Sequence, residues 1–216
     1  MSRVKVQEDV VELLRLLRKS FPDVKGTYLN YRTPLDLLVA TILSAQCTDE
    51  KVNEVTESLF RTFRKPEDYA NAELRELEVK IRPTGFYRRK AQFIKRTSKV
   101  LVERFDSEVP RTMEELTSLE GVARKTANIV LSNAYGIVEG VAVDTHVLRL
   151  SRRLGLTKSK VREKVEEDLM RITPRVHWFE LSNLLIAHGR SVCSAKKPKC
   201  EECVLSALCP SAFTFA

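Results

Sequence analysis

The apolar residues of this 216-residue chain recur every three to four positions almost from end to end, with no sustained alternation of the kind a half-buried strand needs. Val10, Leu13, Leu14 and Leu17 mark a first helix, stopped near Pro22. Thr33-Pro34-Leu35-Asp36 forms a variant capping box with Pro at the first helical position, opening the run Leu37 to Leu43. Helices are predicted over Asp49 to Phe63 and over Leu74 to Ile81, the second ended by Pro83 and Gly85. Tyr87, Ala91, Ile94, Leu101 and Phe105 line one face of a long helix, and Thr112 with Glu115 makes a second capping box. Four more patterns run from Arg124 to Tyr135, Thr145 to Leu154, Lys160 to Ile172 and His177 to Ala187. The expectation is an all-α fold of about ten helices joined by short loops.

Turns at Ser20 to Gly26 and at Gly136 to Gly140 are the candidate boundaries. They leave a central helical lobe, 23–137, and a second lobe built from 1–22 and 138–216. Hydrophobic residues make up 43% of the chain, which excludes a disordered polyelectrolyte. No apolar run approaches a membrane span, and Met1 to Val11 is charged, without the apolar stretch of a signal peptide. A soluble intracellular protein, monomeric by default, is expected. Lys and Arg number 37 against 29 Asp and Glu, a net charge of +8, which favours a polyanionic partner such as nucleic acid.

Of five cysteines, Cys47 stands alone and four crowd the tail as Cys193-x6-Cys200-x2-Cys203-x5-Cys209. In an intracellular chain such a cluster points to a metal site rather than to disulfides. Four thiolates serve zinc and iron–sulfur clusters alike, and spacing alone leaves both open. Structural zinc often uses two Cys-x-x-Cys pairs; here there is one, and the irregular outer spacings suit a chain wrapped around a bulky cubane. Lys196, Lys197 and Lys199 fall in the first loop, with Pro198 stiffening it. A metal that pins this loop presents several ammonium groups together, as phosphate binding requires.

Leu116-x-x-Leu119-x-Gly121-Val122-Ala123-x-x-x-Ala127 reads as a short helix, a glycine turn and a second helix. Gly121 lets the chain turn and lets a DNA strand come close. The unsatisfied N–H groups at the new helix start, around Gly121, Val122 and Ala123, are suited to a phosphate and ignore base sequence. Lys125 falls in the first turn of that helix, where the dipole disfavours a cation and an ordinary design places Asp or Glu. A nucleophilic lysine fits such a position if desolvation or cationic neighbours help the amine lose its proton. Asp144 follows Val141-Ala142-Val143 and precedes Thr145-His146-Val147, well placed to cap the next helix. A capping carboxylate is held in position, a property also wanted where a developing cation needs stabilising.

With these residues assembled, the chain resembles the endonuclease III family of the helix-hairpin-helix glycosylase superfamily. The resemblance covers essentially the whole chain. It rests on Leu43-Ser44-Ala45-Gln46, on Leu119 to Ala127, on Val143-Asp144-Thr145-His146, and on His188-Gly189-Arg190 leading into the four cysteines. It implies two α-helical lobes with double-stranded DNA held across the cleft between them, a [4Fe-4S] cluster on Cys193, Cys200, Cys203 and Cys209, and a mainly structural role for that cluster. It implies a DNA glycosylase that is also an AP lyase. A damaged, oxidised pyrimidine is flipped out of the duplex; Lys125 attacks the sugar and displaces the base; Asp144 stabilises the cationic sugar; and β-elimination cuts the strand on the 3′ side. His146 is counted with the DNA-binding residues.

Two positions depart from the family pattern. Glu120 stands where Pro is usual, placing a negative charge near the expected phosphate, and Ala123 stands where Gly is usual, which is tolerable if its φ is negative. Extraction of a base leaves a gap that inserted side chains can fill. Gln46 is one candidate, its amide able to pair with an orphaned base, and Phe86 is the other, at a loop tip beside Arg88, Arg89 and Lys90, unless it packs inward. The alternatives are a thymine- or uracil-mismatch glycosylase of the same superfamily, a non-catalytic DNA-binding module, and a zinc-stabilised interaction protein.

Overall fold

A computed structural model describes residues 7–214; the charged start, residues 1–6, and residues 215–216 lie outside the described residues. Among the described residues all regular structure is helical, with eleven α-helices and short 3-10 turns. The chain divides into two compact units, Thr27–Glu139 and the stretches before and after it.

The unit Thr27–Glu139 holds α2 (Pro34–Leu43), α3 (Asp49–Thr62), α4 (Pro66–Asn71), α5 (Leu74–Ile81), α6 (Tyr87–Arg104), α7 (Met113–Ser118) and α8 (Arg124–Ala134). Every residue of α2 from Leu35 to Leu43 is buried, so this helix is apolar all round and forms the centre of the unit. It packs against α3, α6 and α8. Its start is set as the sequence implies: the Thr33 side chain accepts from the Asp36 amide at 3.1 Å. The Asp36 carboxylate reaches one residue further back than in a standard capping box and accepts from the Arg32 amide at 3.1 Å. Thr112 likewise caps α7 through the Glu115 amide at 3.3 Å.

The other unit holds α1 (Gln7–Ser20), α9 (Thr145–Arg153), α10 (Arg162–Ile172) and α11 (Trp178–Ser191). Here α11 packs against α1 and α9, and α10 against α9. Val10, Leu13, Leu14 and Leu17 of α1 are fully buried in a core of their own, with Val147, Leu150, Leu181 and Leu185 among their companions. No helix among the described residues is long and apolar enough to cross a membrane.

Candidate functional site

The hairpin between α7 and α8 turns at Gly121, whose φ of +82° excludes most other residues. A side chain there would also collide with the Phe93 ring of α6, whose nearest atom lies 2.7 Å from an added Cβ. Phe93 is thus a close approach that by itself demands glycine here. Ala123 has φ of −82°, an ordinary value, so the missing glycine costs nothing in backbone strain. The Val122 amide donates to the Leu119 carbonyl at 3.1 Å and is spent within the turn. Ala123, at the N-cap of α8, offers no side-chain oxygen to its first turn, which carries the partial positive charge of a helix start. Lys125 is the second residue of that helix, and exposed. Glu120 is not a loose anion: Arg96 donates to both of its carboxylate oxygens at 2.9 and 3.1 Å.

In the other unit, Asp144 caps α9, its carboxylate accepting from the Val147 amide at 2.8 Å. His146 follows it, half-buried against Gly189, where an added Cβ would meet the imidazole at 2.9 Å. Its Nδ1 lies 3.2 Å from the Arg149 guanidinium. Burial lowers the His146 pKa from its ordinary value, which keeps the ring neutral.

Cys193, Cys200, Cys203 and Cys209 line one cavity, with Leu150, Leu154 and Val192 among its other walls. Among the described residues no three His, Cys, Asp or Glu side chains are set to hold a single metal ion. The four cysteines nevertheless share one pocket, and a set of four thiol donors fits an iron–sulfur cluster. Burial, and then the nearness of Cys193, Cys209 and Cys200, push the Cys203 thiol above its ordinary value. Grouped thiolates in such a pocket repel one another, and cationic metal is what relieves them. The walls are also arranged as donors. Arg153 reaches the Cys193 sulfur at 3.2 Å and the carbonyls of Ser194 and Ala195 at 2.7 and 2.8 Å. Arg149 donates to the Cys193 carbonyl at 2.9 Å, and His188 Nε2 lies 3.3 Å from the Cys203 sulfur. Burial pushes the His188 pKa down to about 4, so this ring too is neutral.

Of the loop lysines, Lys196 and Lys197 are exposed, while Lys199 sits 3.5 Å from the Glu202 carboxylate. Arg149 and Arg153 carry this loop, and the sequence reading misses them. Their signal is spacing: two like charges four apart on one helix repel unless both have partners.

Gln46 and Phe86 are both exposed, Phe86 at 67%, which rejects inward packing. Both have left-handed backbones, with φ of +53° and +47°. For residues of this size that costs about 1–3 kcal/mol each and persists only where the surroundings impose it. Lys90, expected beside Phe86 as a third surface cation, is instead buried at 3% exposure.

The fold and these two groups of residues define a class. Residues 39–175 match the model of the HhH-GPD superfamily base excision DNA repair protein, and residues 193–209, which open and close on the first and last cysteine of the pocket, match the iron–sulfur binding domain of endonuclease III. Endonuclease III of Synechocystis sp. is 52% identical over 95% of this chain and 94% of its own. A solved structure of a trapped endonuclease III–DNA covalent intermediate is 42% identical, with a TM-score of 0.92 over 97% of this chain and 98% of that one. A thermostable thymine-DNA glycosylase shares the fold, with a TM-score of 0.84 at 21% identity over 96% of this chain and 98% of its own. The chain belongs to the endonuclease III family. It is a bifunctional DNA glycosylase and AP lyase of base excision repair and carries a [4Fe-4S] cluster.

Proposed function

We propose that this enzyme removes oxidised pyrimidines from duplex DNA as a monomer, with Lys125 as nucleophile and Asp144 as the catalytic carboxylate. The observation that carries the reading is the placement of Lys125: an exposed amine in the first turn of a helix whose N-cap is Ala123, one turn after the Gly121 hairpin. A phosphate received at the start of that helix brings its sugar to the amine. The amine then attacks C1′ of the sugar, and the base leaves with its bonding pair and takes up a proton. The ring opens to a protonated imine. Loss of a C2′ proton expels the 3′ phosphate, and water releases the enzyme. Asp144, fixed by its bond to the Val147 amide, stabilises the cationic sugar and assists the proton transfers.

Cys193, Cys200, Cys203 and Cys209 hold the cluster, which supplies structural cross-linking of the tail and presents Lys196 and Lys197 to phosphates. Gln46 and Phe86 enter the gap left by the flipped base. Two side chains held exposed at an energetic cost, one amide and one aromatic ring, support that assignment. Paired to Arg96, Glu120 contributes little repulsion.

Borohydride trapping tests the nucleophile. Wild-type enzyme should give a covalent adduct with duplexes carrying an oxidised pyrimidine or an abasic site, and Lys125→Gln should give none while still binding. Normal trapping by that variant refutes the assignment, and preferred turnover of a G·T or uracil mismatch refutes the substrate class.

A further inference from the structure

The buried ammonium of Lys90 has two partners, and both belong to the segments that lead into the exposed tips. It donates to the Leu43 carbonyl at 2.8 Å and to the Thr84 carbonyl at 2.7 Å. Leu43 is the last residue of α2, where carbonyls lack a helical partner, and Gln46 follows three residues on. Thr84 ends the 3-10 turn Arg82–Thr84, and Gly85 and Phe86 follow with consecutive positive φ. The Lys90 amide in turn donates to the Phe86 carbonyl at 3.2 Å. One residue thus grips the chain on both sides of Gly85 and ties it to the end of α2.

We propose that Lys90 is a positioning residue for duplex opening: its ammonium clamps the Leu43 and Thr84 carbonyls together and so sets Gln46 and Phe86 in register as a pair. The proposal rests on the reading that both tips enter the base stack. A buried ammonium is a poor way to stabilise a helical lobe, since an apolar side chain of similar length fills the space without desolvating a charge. Burial pulls the Lys90 pKa below its ordinary value, against a smaller opposing pull from Cys47 nearby. What the ammonium does that an apolar group or a hydroxyl cannot is donate from one point to two carbonyls of separate segments. Tips ordered before DNA arrives do not have to be ordered during insertion, which lowers the cost of opening.

The test uses the full-length, cluster-loaded enzyme with Lys90→Met and Lys90→Gln, and with Phe86→Ala and Gln46→Ala as references. Single-turnover excision is followed on a duplex with an oxidised pyrimidine, lyase activity on a single-stranded abasic oligonucleotide, and stacking by a 2-aminopurine beside the lesion. Lys90→Met should slow duplex excision about tenfold, delay the fluorescence change equally, and leave the single-stranded reaction within about twofold. Added to Phe86→Ala, it should cost little more, because both act on one event. Equal losses on both substrates, a wild-type fluorescence change, full additivity, or failure of both Lys90 variants to fold would each overturn the proposal, the last by making Lys90 a strut of the whole unit. If Phe86→Ala and Gln46→Ala leave duplex excision unchanged, the tip reading itself fails. If they slow it and Lys90→Met does not, only the brace fails.

Discussion

Arg96 binds the carboxylate of Glu120 through both oxygens, so the acid that replaces the family's usual proline at the hairpin brings its own countercharge. Both side chains are well exposed, and such a pair contributes less than about 1 kcal/mol to stability. Its effect should fall on DNA. Arg96→Ala should weaken DNA binding severalfold at low salt, and adding Glu120→Gln should restore most of the loss. If the double variant binds as poorly as Arg96→Ala, Arg96 contacts DNA directly and is not merely neutralising Glu120.

Asp144→Asn keeps a good cap and should keep the melting temperature within a few degrees. Excision should fall on the order of a hundredfold or more. Asp144→Ala should lose the same activity and about 1 kcal/mol of stability besides, through the lost bond to the Val147 amide. Full activity in Asp144→Asn would remove the catalytic role.

The dependence of DNA affinity on salt should flatten by about 0.9 in logarithmic slope for each lysine that meets a phosphate. Lys196→Ala and Lys197→Ala should each show this. Lys199→Ala should show less, because its ammonium faces Glu202 at 3.5 Å. Three unchanged slopes would mean that the loop does not face DNA.

Purified anaerobically, the protein should be brown and contain iron and sulfide. Arg153→Ala removes the donor to the Cys193 sulfur and two backbone anchors of the loop. It should speed cluster loss in air severalfold and, by freeing the loop, also reduce the salt slope. Colourless protein holding stoichiometric zinc would contradict the cluster.

The fold was legible wherever apolar residues repeat at helical spacing and a capping residue marks the start, as at Thr33, Thr112 and Asp144. The pattern misses α4 because that helix buries only Pro66 and Tyr69, too few for a period to show. Its start is fixed by Asp68, which accepts from the Arg64 and Lys65 amides at 2.8 and 3.1 Å. At the site, residue types gave the chemistry but not its direction. A lysine can face water or a buried carbonyl, and Lys90 was decided by burial against Leu43 and Thr84. One signal was available: Lys90 lies three after Tyr87 and four before Ile94, on the apolar stripe of α6. The outward stance of Phe86 depends on a positive φ that no residue type near it announces except Gly85.

The core that joins α1 to α11 has a consequence during synthesis. The stripe of Val10, Leu13, Leu14 and Leu17 is synthesised about 160 residues before its partner helix Trp178–Ser191. At about 5–20 residues per second that is a wait on the order of ten seconds. Over that interval the contiguous stretch Thr27–Glu139 has all of its own packing partners in hand, whereas the first helix carries an uncovered apolar face, the kind of surface that a chaperone at the exit tunnel holds until its mate arrives.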